Sequence, residues 1–253
     1  MFDPYVYQNS DVLINLANIS DKETVDKMEA DYSCLRLAQI AMDNPLKFYE
    51  VDDLKKLHYI IFQDIYDWAG EFRTIDIEKE EPALGGLSIE YSQYPNIRSE
   101  LYVIFEEIRN IKWSRYKIDE LVVRYTYYLS QVWKVHPFRE GNTRTIVTFF
   151  ELMIEDQFIY IDSDLLKDNS NYVRTSLVAA NAIFSDIGDR RDYTYLEAII
   201  RHAFENGRKL RNEIVQRLRE EGVGITNENI QKVVFQSRMC NHVLSNEEIS
   251  SLF

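Results

Sequence analysis

The sequence predicts an all-α protein, a helical bundle that carries one small β-hairpin. Two observations carry that prediction. Apolar residues recur at steps of three and four over most of the chain, the spacing of helices with one buried face. Residues 73–91 break that pattern and alternate apolar with polar side chains around a Gly-Gly pair, the spacing of two short strands and a turn. With 253 residues, 45% of them apolar, the chain is long enough to bury a core, and 8 Gly and 5 Pro leave little room for linkers.

Asp21-Lys22-Glu23 is suited to start the first helix, whose body runs over Val25–Met42 with Met28, Leu35, Leu37 and Ile40 among charges. Val51–Trp68 follows, with Leu54, Leu57, His58, Ile61, Ile65 and Trp68 on one face. The hairpin comes next. Arg73-Thr-Ile-Asp-Ile-Glu forms one arm, Gly85-Gly86 the turn, and Leu87-Ser-Ile-Glu-Tyr the other arm. Helical spacing returns in Ile97–Ile111, through Leu101, Ile104, Phe105 and Ile108. It continues in Asp119–Lys134, through Leu121, Val122, Tyr125, Leu129, Val132 and Trp133. After a loop at His136–Asn142 come helices over Thr143–Asp156, Asn171–Phe184 and Tyr193–Leu218. The tail from Glu221 to Phe253 is polar, broken at Gly222–Gly224, and reads as two short helices.

Composition narrows the function. A net charge of −13 argues against a broad nucleic-acid surface, which needs clustered Lys and Arg, so no direct nucleic-acid binding is expected. No apolar run is long enough to span a bilayer, and no membrane association is expected. Cys34 and Cys240 make no metal or disulfide spacing, and the start, Met1-Phe-Asp-Pro-Tyr-Val, lacks the basic and apolar regions of a signal peptide. The expected location is cytoplasmic, in the producing cell or in one to which the protein is delivered.

The chemistry concentrates in His136-Pro-Phe-Arg-Glu140-Gly141-Asn142-Thr143-Arg144. A helix starting at Asn142 or Thr143 offers unpaired N–H groups to an anion. Gly141 lets the backbone approach a ligand, and Arg144 can fork onto phosphate oxygens. Glu140 is a carboxylate suited to Mg²⁺, an ion usually held by one or two carboxylates together with substrate phosphates. His136 precedes a proline, is pushed to an extended backbone, and titrates near neutrality as a general base does. A lone His, a Glu-Gly-Asn turn or a lone Arg each has a structural explanation, but their concentration in one loop spells a phosphoryl- or nucleotidyl-transfer site.

This stretch resembles the signature of the Fic-domain family: His, any residue, Phe, any residue, Asp or Glu, Gly, Asn, Gly, Arg, two residues, Arg. Asp3-Pro-Tyr-Val-Tyr, Asp67-Trp68-Ala-Gly-Glu-Phe-Arg73-Thr74 and the hairpin are similar to its stand-alone bacterial members. The resemblance implies a Fic-type helical bundle with a β-hairpin flap over residues 1–204 and a helical extension over 205–253. It implies transfer of AMP from ATP to a Tyr, Ser or Thr hydroxyl of a target protein. In that reaction His136 would take the hydroxyl proton and Glu140 would hold Mg²⁺. Gly141, Asn142 and Thr143 would hold the transferred phosphate, and Arg144 would neutralise the leaving pyrophosphate. Phe138 would anchor the loop in the core. The flap, with Thr74, Ile75, Asp76 and Ile77 on one arm and Leu87, Ser88 and Ile89 on the other, would pair with an extended target segment.

Thr143 stands where the pattern has Gly, and Val147 where it has the second Arg. These departures leave open a different transferred nucleotide or phosphate group, or a protein that binds a nucleotide without turnover. The family's inhibitory pattern of Ser or Thr, three residues, Glu, then Gly or Asn is not met anywhere, so either a small antitoxin-like partner supplies the inhibitor or, with the second Arg missing, this type of control is absent. His58 reads as a buried, hydrogen-bonded core residue, and Glu78-Lys-Glu-Glu81 as a solvated strand end.

Overall fold

The computed structural model describes residues 3–42, 44–184, 188–240 and 242–253. Its helices are α1 (Lys22–Met42), α2 (Val51–Phe62), α3 (Ile97–Arg109), α4 (Ile118–Val135), α5 (Asn142–Asp156), α6 (Ser163–Asp168), α7 (Ser170–Ala180), α8 (Thr194–Glu220), α9 (Asn227–Cys240) and α10 (Asn246–Leu252). The strands β1 (Ile183–Phe184) and β2 (Gly188–Asp189) pair antiparallel, Ile183 opposite Asp189. The protein is thus mostly helical, as the apolar spacing predicts, and its small two-stranded sheet lies at 183–184 and 188–189 instead of at the expected hairpin.

Helix α4 forms the centre. Its stripe of Leu121, Val122, Tyr125, Leu129, Val132, Trp133 and Val135 is buried, and α3, α5, α7 and α8 pack around it. Its opposite positions, Val123 and Tyr127, are exposed, as a one-faced helix requires. Helix α5 adds Ile146, Phe149, Phe150, Met153 and Ile154 to the same core. A second, smaller cluster forms where Ile214 and Leu218 of α8 meet Ile230, Val233 and Val234 of α9, with Leu244 and Ile249. Helix α8 belongs to both clusters, since Leu196, Ile200, Ala203 and Phe204 lie in the first. Arg238 of α9 forks onto Glu155 of α5 at 2.8 and 2.5 Å, tying the second cluster to the bundle.

Some elements depart from the sequence reading. Helix α2 ends at Phe62 instead of Trp68, although Ile65 and Trp68 keep the helical spacing. The backbone beyond Phe62 is held from outside. The Leu16 amide donates to the Ile65 carbonyl at 2.9 Å, and Arg36 of α1 holds the Asp64 carboxylate at 2.6 and 2.9 Å. Tyr66 and Trp68 then stack on each other at 4.3 Å. Helix α7 stops at Ala180 because the Asn181 amide turns inward to Ser130 and to the Leu177 carbonyl. The chain continues into β1 instead of running helical to Phe184.

The expected hairpin at 73–91 is corrected most. Among the described residues its arms form no strand ladder; they close through Glu81 N–H to the Leu87 carbonyl at 3.2 Å, around a helical turn at Pro82–Leu84. Side chains anchor the arms instead: Lys79 on Glu140, Glu81 on Arg174 and Tyr91, and Ser88 on the Lys79 amide.

Gly207 sets the distance between α8 and the chain before α6. A Cβ there would lie 2.1 Å from the Tyr160 carbonyl oxygen, whereas at Gly224 the nearest atom is 3.9 Å away. Gly207→Ala is therefore expected to cost about 1–3 kcal/mol and to lower Tm by roughly 3–10 °C. Gly224→Ala is expected to stay within about 0.5 kcal/mol. Thermal unfolding of both variants checks this, and equal midpoints would remove the close-approach account.

Candidate active site

The loop between α4 and α5 is built from its backbone outward. Helix α4 ends on His136 in the left-handed region, φ 49°, an uncommon conformation for a residue with a Cβ. Arg73 holds it there. This arginine is 2% exposed, and its Nε donates to the His136 carbonyl at 2.8 Å. Its other nitrogens reach the carbonyls of Ile75 at 2.6 Å, Val135 at 3.4 Å and Ser92. The Arg73 amide adds a bond to the Pro137 carbonyl at 2.9 Å. Burial pulls the guanidinium pKa down, and Asp76, 3.6 Å away, offsets that.

Asn142 closes the loop. Its Oδ1 accepts from Phe138 N–H at 2.9 Å and its Nδ2 donates to the Phe138 carbonyl at 2.7 Å. The side chain expected to touch phosphate is thus spent on the loop's own backbone. Phe138 is fully buried and stacked on His58 with centroids 3.8 Å apart. Gly141 takes φ 78°, and a Cβ on it would meet the Phe62 ring at 2.3 Å. Helix α5 begins immediately after it. The N–H groups of Asn142, Thr143 and Arg144 find no acceptor among the described residues, the condition for an anion site.

His58 supports this loop from beneath. Its Nδ1 accepts from Gly70 N–H at 2.8 Å, so Nε2 carries the hydrogen and donates to the Glu140 carbonyl at 3.0 Å. Burial lowers its pKa to about 3. The Glu140 carboxylate accepts from Gly141 N–H at 3.0 Å and from Lys79 Nζ at 3.0 Å. Burial works to raise its pKa, but Lys79 and the Gly141 amide bring it down to about 2.

His136 is 3% exposed, and neither ring nitrogen has a hydrogen-bond partner among the described residues. Its ring lies 4.2 Å from Tyr91 of the flap and 5.2 Å from Trp133. Burial first, then the charge of Lys79, pushes its pKa well below the usual histidine value, so the imidazole is neutral. The Thr143 hydroxyl accepts from the Trp133 indole N–H at 2.9 Å. Arg144 pairs with Glu29 and donates to Ser33 Oγ at 2.7 Å, both on α1. Val147 is half-buried and packs on the main core.

The flap residues separate into two sets. Thr74 donates its amide to Tyr5 Oη at 3.1 Å, and Asp76 accepts from Tyr94 N–H at 2.7 Å. Ile75 and Ile77 are half-buried and Ile89 is buried, while Leu87 is exposed. Ser88 Oγ accepts from Lys79 N–H at 3.1 Å. The reading of Glu78–Glu81 as a solvated strand end is corrected at two positions. Lys79 points to Glu140, and Glu81 is fully buried, held by Arg174 at 2.9 Å and Tyr91 Oη at 3.3 Å. The alternation of side chains in this run is the signal that could have placed both on the inner face. For the contacts of Arg73 with His136 and of Glu29 with Arg144 no comparable signal exists, since those partners lie 63 and 115 positions apart.

A neutral buried His58 has a pH signature. Its folded pKa of about 3 lies below the 6.5 of the unfolded chain, so its contribution is complete above pH 6.5 and is lost as pH falls toward 3. One such group supplies a slope of about 1.4 kcal/mol per pH unit. Glutamine can keep both hydrogen bonds without titrating. His58→Gln is expected to flatten the fall in unfolding free energy between pH 6.5 and 4 by about one proton, measured by denaturant titration across pH. An unchanged slope would mean that His58 is not buried neutral.

Comparison with known proteins follows the same residues. Residues 48–154 match the Fic/DOC family model, a stretch that includes the whole loop. The chain is 31% identical over 154 residues to the probable protein adenylyltransferase y4lH of Sinorhizobium fredii, covering 60% of this chain and 74% of that one. It is 28% identical over 163 residues to the protein adenylyltransferase VbhT of Bartonella schoenbuchensis, covering 64% of this chain and 33% of the relative, so the match spans a third of that protein's length. Among solved structures, the BepC protein of Bartonella tribocorum with bound AMPPNP superposes with a TM-score of 0.65 at 15% identity, covering 79% of this chain and 95% of that one. A Bartonella quintana Fic domain with bound ADP gives 0.63 at 18% identity, covering 79% and 93%. With loop, fold and matched residues in agreement, this chain belongs to the Fic/DOC family.

Proposed function

We propose that the protein is an adenylyltransferase that moves AMP from ATP to a hydroxyl side chain of a target protein. The observation that carries this reading is His136: a neutral imidazole with both nitrogens unpartnered, held by the same short loop that opens a free helix N-terminus and presents an ionised carboxylate. A binding module would have no use for an unpaired base in a buried position, where an unsatisfied polar group costs stability.

The chemistry follows from those groups. An imidazole nitrogen of His136 accepts the target hydroxyl proton as the hydroxyl oxygen bonds to the α-phosphorus. The bond from that phosphorus to the bridging oxygen breaks, and pyrophosphate leaves with the electron pair. The N–H groups of Asn142, Thr143 and Arg144 receive charge on the transferred phosphate. The Glu140 carboxylate fits a divalent cation, because it is ionised far into acid and already has a cationic ammonium 3.0 Å away. It would hold Mg²⁺ with the phosphates, and the ion would supply charge neutralisation. With no strand ladder between them, the arms of the flap keep backbone groups available for a target segment.

Arg144 reaches phosphate only by leaving Glu29 and Ser33. Glu29→Ala is accordingly expected to raise nucleotide affinity and label transfer by roughly tenfold or more, the scale of one charge-assisted bond. Lower affinity in that variant would mean that α1 supports the site instead of restraining it. The reading as a whole is tested with labelled ATP and Mg²⁺ in a bacterial lysate. A discrete protein band that disappears with His136→Ala is the expected result. Labelling by another nucleotide donor alone would replace AMP as the transferred group, and no label from any donor would leave a nucleotide-binding protein without turnover.

A further inference from the structure

Four arginines in or beside the loop are committed to other partners. Arg73 is spent on backbone carbonyls, Arg139 on Asp3 at 3.1 and 2.7 Å, Arg144 on Glu29 and Ser33, and Arg174 on Glu81. Lys79 differs, because its partner is Glu140, the carboxylate assigned above to the divalent cation. Its backbone is fixed on both sides of the flap: the amide donates to Ser88 Oγ at 3.1 Å, and the buried Glu81 two residues on is held by Arg174 and Tyr91. Only the flexible stem of Lys79 is free to redirect its charge.

Resting on the nucleotide-transfer reading, we infer that Lys79 is a phosphate-binding residue of the donor site, delivered by the flap and parked on Glu140 while the site is empty. Once Glu140 is taken by a cation, the ammonium loses its partner in a place where its side chain is 21% exposed. An unpaired charge there is costly, and phosphate oxygens are strong acceptors for a Lys point charge. The nucleotide and its cation thus exchange one ion pair for two: cation with carboxylate, ammonium with phosphate. No bond is made or broken covalently in this step.

Calorimetric titration of a non-hydrolysable ATP analogue with Mg²⁺, and of adenosine alone, into wild type, Lys79→Ala and Lys79→Arg tests this. The expected result is a roughly tenfold or greater weakening of the analogue in Lys79→Ala. Adenosine should be unaffected, and Lys79→Arg should stay within about threefold. Unchanged or tighter analogue binding in Lys79→Ala would overturn the inference, because Lys79 would then only compete for Glu140. An equal loss for adenosine would overturn it too, since the effect would be structural. A wild type that binds no analogue overturns this inference and the transfer reading together. Lys79-dependent analogue binding without AMP transfer supports the inference while the transfer reading fails.

Discussion

A guanidinium buried against backbone carbonyls holds the functional region together. Arg73 sits where the flap leaves the bundle and donates into the carbonyls of Ile75, Ser92, Val135 and His136, which belong to three separate stretches of chain. A buried charge is tolerated only when its donors are satisfied. Here the acceptors are backbone groups left over by the end of α4 and by a flap without a ladder. One side chain therefore fixes the left-handed turn at His136, the root of the flap and the distance between them. The Asn142 clamp on Phe138 and the His58 bond to Glu140 complete the loop from the other side.

Charge inside the site is arranged by exchange of partners. Glu140, Arg144 and Lys79 each hold an opposite or polar partner, so no full charge is left bare. Neither His136 nitrogen has a partner among the described residues, and burial keeps the ring neutral. Neutrality leaves the imidazole able to accept a proton, and it spares the fold an unpaired buried charge. Tyr91 of the flap lies against the buried imidazole, so the flap helps to keep His136 from water.

Much of this was legible in the sequence. The step of three and four gave the α3, α4 and α5 helices and their buried faces, because a helix with one apolar stripe has little choice of which side to bury. The loop from His136 to Arg144 was legible because all its functional types come from contiguous residues. Elements whose ends depend on distant partners were not. Ile65 and Trp68 keep helical spacing, yet α2 stops at Phe62 once Leu16 and Arg36 claim the chain beyond it. The alternation at 73–78 and 87–91 is that of strands, but the ladder is absent because Lys79, Glu81 and Ser88 anchor the arm through side chains.

The sequence by itself determined the helical class, the contiguous placing of His136 and Glu140 in one loop, and the two departures at Thr143 and Val147. Periodicity and short-range motifs encode such properties. Tertiary structure alone decided what those residues touch: Glu29 on Arg144, Trp133 on Thr143, Lys79 on Glu140 and Arg73 beneath His136. Each pair joins residues far apart along the chain or across a turn, and no local pattern fixes such a pairing. Only the packing of α1, α4, α5 and the flap brings the charges within hydrogen-bonding distance.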